Sequence, residues 1–151
     1  MSFREIFGEI LADHHENPRN NGKLDNPTIV KQGSNPICGD RVTINVELKE
    51  ADKLEVLSKV SFEGEGCIMC LASASIMTEI MIDKSTLEAN KIIESFKTFL
   101  QSSDDTVSDP VLLTVGDDIH TLFGIKKYPA RLKCVLLSWI TLKTGLLNHE
   151  K

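Results

Sequence analysis

Val42-Thr43-Ile44-Asn45-Val46-Glu47-Leu48 alternates apolar and polar side chains without a break. Successive side chains of a strand point to opposite faces. Val42, Ile44, Val46 and Leu48 therefore line an inner face, with Thr43, Asn45 and Glu47 turned outward. Upstream, Thr28 to Lys31 is β-branched and stops at Gly33, a shorter strand. Downstream, Leu57 to Glu63 reads as a third, although Leu57 is out of phase with Val60 and Phe62. The connections are short, which favours an antiparallel meander.

After Gly66 the period changes from two to that of a helix. Ile68 to Met81 reads as a buried helix whose centre, Ala72-Ser73-Ala74-Ser75, is unusually small. Small side chains there allow close approach to the sheet and leave room beside Cys67. Ser85 caps a second helix, Thr86 to Leu100, with Leu87, Ile92, Phe96 and Phe99 as its core face. Gln101 to Pro110 is polar and acidic, an expected exposed loop, and a short helix is expected around Asp117 to Phe123. Before the strands, Phe3 to His14 carries Phe3, Ile6, Phe7, Ile10 and Leu11 at helical spacing, and Pro18 with the Asn-rich Asn17 to Gly22 ends that helix. The last helix is marked by Leu132, Val135, Leu136, Trp139, Leu142 and Leu146. At ~100° per residue Cys134 lies about 200° from Leu132, off the main apolar stripe and towards a cleft. The fold class is α/β, of the α+β kind: a three-stranded antiparallel sheet with helices on one side, in a single domain over 1–151.

The chain of 151 residues is long enough for its own core, and 41% apolar content is ordinary for a globular protein. A net charge of −5 argues against nucleic acid, whose binding needs a basic face. No apolar run approaches the ~20 residues that span a bilayer, and Met1-Ser2-Phe3-Arg4-Glu5 has no signal pattern. The expectation is a soluble, cytoplasmic protein with neither nucleic-acid nor membrane partner.

In a reducing compartment the four cysteines point to metal or sulfur chemistry rather than to disulfides. Cys38 in Asn35-Pro36-Ile37-Cys38-Gly39-Asp40 and Cys67 in Gly64-Glu65-Gly66-Cys67 sit in turns. Cys134, in Arg131-Leu132-Lys133-Cys134, begins the last helix. With Asp40 they make three soft sulfurs and one hard oxygen, a set suited to Zn²⁺ or to a loosely held iron–sulfur cluster. Helix N-termini at Cys67 and Cys134, with Arg131 and Lys133 beside the latter, would favour thiolates. Asp40 has a second reading, as a turn aspartate bonding its own backbone. Cys70 completes a Cys-x-x-Cys with Cys67, a redox pair or half a zinc site, or else is a buried small hydrophobe. His14, His15, His120 and His149 match no metal spacing and read as solvated or capping residues, His14 and His15 with a further reading as part of a partner surface.

Several of these stretches together resemble the U-type iron–sulfur assembly proteins, the IscU/SufU family related to the amino-terminal part of NifU. They are Asp13-His14-His15-Glu16-Asn17-Pro18-Arg19-Asn20-Asn21-Gly22, Asn35 to Asp40, Phe62 to Cys67 with Ala72 to Ser75, and Tyr128-Pro129-Ala130-Arg131-Leu132-Lys133-Cys134. The resemblance covers nearly the whole chain and implies that Cys38, Asp40, Cys67 and Cys134 form the metal or cluster site. It implies Cys70 stands outside that site, at a position usually Ser. Lys133 replaces the His that IscU proteins carry before the third cysteine. Tyr128-Pro129-Ala130-Arg131 replaces the stretch that docks a dedicated chaperone, and Ser102 to Gly116 looks like an addition. These departures resemble SufU. They imply zinc held by three Cys and one Asp, and persulfide sulfur accepted from a SufS-type cysteine desulfurase for recipient iron–sulfur assembly or apo-proteins. Cys38 would be the acceptor, a sulfurtransferase role, with Arg131 either pairing with an acid, a partner's or one released in the site, or simply solvated. The other reading is a scaffold assembling a transient [2Fe–2S] cluster on the same residues.

Overall fold

The computed structural model describes residues 3–150. Met1, Ser2, Lys151 and the side chain of Phe3 lie outside that description, and with them part of the amino-terminal reading. Three antiparallel strands run in the order β1-β2-β3: β1 Ile29–Asn35, β2 Asp40–Ala51 and β3 Leu54–Glu65. The β2–β3 turn is Asp52-Lys53, both at positive φ, the geometry that matches the right-handed strand twist in a two-residue hairpin. The β1–β2 connection is the four residues Pro36 to Gly39, closed by the pair Asn35 and Asp40. β1 runs past Gly33 because a Cβ there would fall 2.0 Å from Thr141 Oγ1; glycine lets the last helix lie directly on the strand.

A β-bulge accounts for the phase of Leu57. Glu47 pairs with Lys59 but Leu48 pairs with Leu57, which leaves Ser58 as an extra residue. The Ser58 hydroxyl donates to Glu47 O at 2.9 Å, and Leu57, Val60 and Phe62 all reach the core. Val42, Ile44 and Val46 are buried as expected, while Leu48 is only partly covered. Asn45 departs from its outward assignment and is buried. Asn20 to Gly22 pairs along β3, with Phe62 N donating to Asn20 O and Gly22 N to Phe62 O. Asn45 Nδ2 donates to Ser61 Oγ beneath that segment.

Among the described residues seven α-helices follow or precede the sheet: α1 Phe3–Phe7, α2 Glu9–Glu16, α3 Ile68–Met81, α4 Thr86–Gln101, α5 Pro110–Thr114, α6 Asp118–Thr121 and α7 Leu132–Glu150. The first expected helix is split at Gly8, whose φ of 92° no other residue type adopts easily. Ile6 and Ile10 are exposed, and α2 buries Leu11, Ala12 and His14 instead. α4 begins on a complete capping box between Ser85 and Glu88. Its core face is Ala89, Ile92, Ile93, Phe96, Phe99 and Leu100. Leu87 is exposed, since five residues before Ile92 it stands about 140° round the helix. The segment Ser102 to Gly116 carries α5, capped by Asp109 and anchored by buried Leu112.

The small centre of α3 serves its helix neighbours. Ser73 Oγ donates to Val135 O at 2.7 Å and accepts from Trp139 Nε1 at 2.8 Å, joining α3 to α7. α7 is covered both by β1 and by α3, so its burial is not confined to one stripe, and Cys134 is buried with the rest. No helix among the described residues is long and apolar enough to cross a membrane.

Candidate metal centre

Four elements deliver the expected residues to one end of the sheet. Cys38 sits on the exposed β1–β2 turn, Asp40 opens β2, Cys67 is the N-cap of α3 and Cys134 lies in the first turn of α7. The Cys38 and Cys134 sulfurs and one Asp40 oxygen all lie within 4.8 Å of one another. Cys67 is not part of that tight trio. Its sulfur turns back over its own helix, accepting from Cys70 N at 3.4 Å, yet it still interacts with the Cys134 thiol.

Asp40 is fully buried, and its two oxygens are treated unequally. Oδ1 accepts from Cys67 N at 2.9 Å, so the carboxylate spans to α3 rather than closing its own turn. Oδ2 is buried with no hydrogen-bond partner. A buried carboxylate oxygen left unpaired is costly unless a cation or proton meets it. Gly66 makes this approach possible: at φ 147°, a Cβ would strike Asp40 Oδ1 at 2.3 Å. An orphaned hard oxygen beside two thiols and near a third fits a divalent soft-to-borderline cation such as Zn²⁺.

Without such a cation the Cys134 thiol holds its proton. Burial pushes the Cys134 thiol well above its usual range, and the neighbouring Asp40, Cys38 and Cys67 push it further. Burial and these neighbours outweigh the helix N-terminus expected to favour a thiolate at Cys134. Arg131 and Lys133 are both exposed, and Arg131 forms no ion pair among the described residues. Asn35 is a site neighbour that the sequence does not single out: its Nδ2 lies 4.0 Å from Cys134 Sγ as a donor. Its place in the Asn-Pro-Ile-Cys turn was the available signal. Cys70 is buried, and its thiol is pushed up to about 12 by burial first and then by Asp40, Cys67 and Cys38.

His14 is not solvated. It is 1% exposed, with Nδ1 2.7 Å from Ser75 Oγ and Nε2 2.7 Å from Asp118 Oδ2. Arg19 N donates to the same Ser75 oxygen, and Glu79 lies 3.7 Å from Nε2. His14 therefore ties α2 to α3 and α6.

A sheet-and-helix frame that gathers three thiols and a carboxylate at one end defines an α+β protein suited to holding a soft cation. The chain belongs to the NifU-like N terminal domain family, whose model matches residues 7–135. It is 36% identical to the zinc-dependent sulfurtransferase SufU of Bacillus subtilis, over 96% of this chain and 92% of that protein. It is 32% identical to the iron–sulfur cluster assembly scaffold protein IscU of Thermotoga maritima, over 97% and 96% of the two chains. Its fold matches the crystal structure of an iron–sulfur cluster assembly scaffold protein for the SUF system from Fervidobacterium islandicum AW-1. That match has a TM-score of 0.79 at 30% identity and covers 96% of this chain and 99% of the other.

Proposed function

We propose that this iron–sulfur cluster assembly protein works in the cytoplasm as a zinc-dependent sulfur acceptor, taking persulfide sulfur from a SufS-type cysteine desulfurase and passing it towards cluster assembly. The observation that carries the reading is the partnerless, buried Asp40 Oδ2 beside the Cys38 and Cys134 thiols. Cys38, Asp40, Cys67 and Cys134 would hold Zn²⁺, which supplies the positive charge that keeps the thiols deprotonated.

Of the three thiols only Cys38 is exposed, on a turn whose neighbour Ile37 is 87% exposed and free to meet a partner. The Cys38 thiolate attacks the terminal sulfur of the partner's cysteine persulfide. An S–S bond forms on Cys38, the donor's S–S bond breaks, and the donor cysteine leaves as thiolate, so the exchange involves no net oxidation. Asp40 and Cys134 stay buried and hold the pocket together. Arg131, exposed on the turn Pro129–Arg131 just before Cys134, is placed to pair with an acid on the partner.

A desulfurase assay tests this. The wild-type protein should stimulate sulfur release by a SufS-type enzyme, and Cys38→Ala should abolish stimulation while the fold survives. Normal stimulation by that variant would reject Cys38 as acceptor. The scaffold reading is favoured by the similarity to the Thermotoga maritima protein. Elemental analysis separates the two: zinc retained through anaerobic purification supports relay, whereas cysteine-dependent visible absorbance after adding iron and sulfide supports a cluster scaffold.

A further inference from the structure

Cys70 takes no part in the proposed transfer, yet it is a thiol set directly behind Cys67, one of the residues that would hold the zinc. Cys67 is the N-cap of α3, half-buried at the pocket. Cys70, three residues on, is fully buried in the first turn. Cα atoms three residues apart on a helix lie ~5 Å from each other, within the ~4.4–6.8 Å that a disulfide spans. The Cys67 side chain is already folded over that turn, its sulfur 3.4 Å from Cys70 N. Closing an S–S bond here requires side-chain rotation and a local approach of the two Cβ atoms within one helical turn, and no movement of one element against another. An outer, reachable thiol and an inner, shielded one also divide the labour of a dithiol: the first meets an oxidant, the second resolves it.

We propose that Cys67 and Cys70 are a redox-active dithiol that closes to a disulfide on reaction with a low-molecular-weight disulfide. The Cys67 thiolate attacks the small disulfide, forming a mixed disulfide and releasing one small thiolate. The Cys70 thiol, giving its proton to the departing small thiolate, then attacks the Cys67 sulfur, forming the internal bond and releasing the second small thiol. Two protein thiols are oxidised and one small disulfide is reduced to two thiols. The consequence for metal rests on the proposed zinc site: closure withdraws Cys67 from the ligand set and opens the pocket at the α3 side.

The test uses the full-length, metal-containing protein treated with oxidised glutathione, read by non-reducing peptide mapping and by a chromophoric zinc chelator. The expected result is a Cys67–Cys70 link accompanied by zinc loss, both reversed by dithiothreitol. Cys70→Ser and Cys70→Ala, each checked for a native circular dichroism spectrum, should retain zinc under the same treatment. A Cys38–Cys134 link in place of the expected one would overturn the proposal, as would zinc loss from both Cys70 variants at the wild-type rate. Protein that never carries zinc would sink the reading of the metal site alone, since the mapping of the Cys67–Cys70 link decides the dithiol without it.

Discussion

At its start, helix α3 contributes Cys67 to the thiol pocket; about two turns on, it contributes Ser75 to the contact with His14. The two places handle buried polar atoms differently. Around His14 the network is closed: both ring nitrogens are bonded, Ser75 Oγ also takes Arg19 N, and Asp118 reaches solvent. At the pocket Asp40 Oδ2 has nothing. A closed network is a structural tie between helices, whereas an open one marks the place where a ligand completes the set. Metal should therefore matter to the pocket and leave the His14 network untouched.

The largest effect separates them most sharply. Stripping zinc with a chelator should lower unfolding stability by about 4 kcal/mol relative to protein in free zinc a thousandfold above Kd. Calorimetry with and without chelator checks this, and an unchanged transition would mean that no cation completes the Asp40 pocket. Next in size, His14→Ala removes one buried and one part-buried hydrogen bond and leaves a void between α2 and α3, costing ~2–4 kcal/mol in denaturant unfolding. Zinc stoichiometry should stay at the wild-type value; its loss would show that the two regions are one. Smaller again is Gly66→Ala. The new methyl meets Asp40 Oδ1 on a strained backbone, for ~1–3 kcal/mol, and this change should weaken zinc retention in competition with a chelator. If the variant held zinc as well as wild type, Asp40 would not be a ligand.

The same contrast explains what could be read from the chain beforehand. The pocket was legible because its residues sit in Gly- and Pro-marked turns and at helix starts, where local pattern already says that a side chain is presented. The helix α3 was legible from end to end for the same reason, with Gly66 before it and a clear period after it. His14 was not, since its partners Ser75 and Asp118 stand 61 and 104 residues away and neither belongs to a recurrent spacing. Asn45 was misassigned because alternation reports the pleat and says nothing of a segment, Asn20 to Gly22, that later covers the outer face. Leu57 showed the trace of the Ser58 bulge as a phase error, visible in the sequence but interpretable only with Glu47 opposite. On α7 a single apolar stripe was assumed, and a helix packed against both a strand and another helix has no bare side on which Cys134 could stand out.

The smallest effect lies at the rim of the closed region, where Arg19 bonds both Asp13 and the backbone carbonyl of Asn17. The Arg19 guanidinium, then Asn17, hold the Asp13 carboxyl below its ordinary 3.8. A lowered pKa means that the folded state favours the carboxylate, so the pair's contribution is complete above about pH 4 and fades as pH falls through the lower folded value. Both side chains are partly exposed, so the contribution is modest and salt should weaken it. The expected result is that the stability difference between wild type and Asp13→Asn is constant from neutrality to about pH 4 and shrinks below it. Urea midpoints measured across that range check the sign, and a difference that persists unchanged in strong acid would mean that Asp13 acts by packing α2 rather than through its charge.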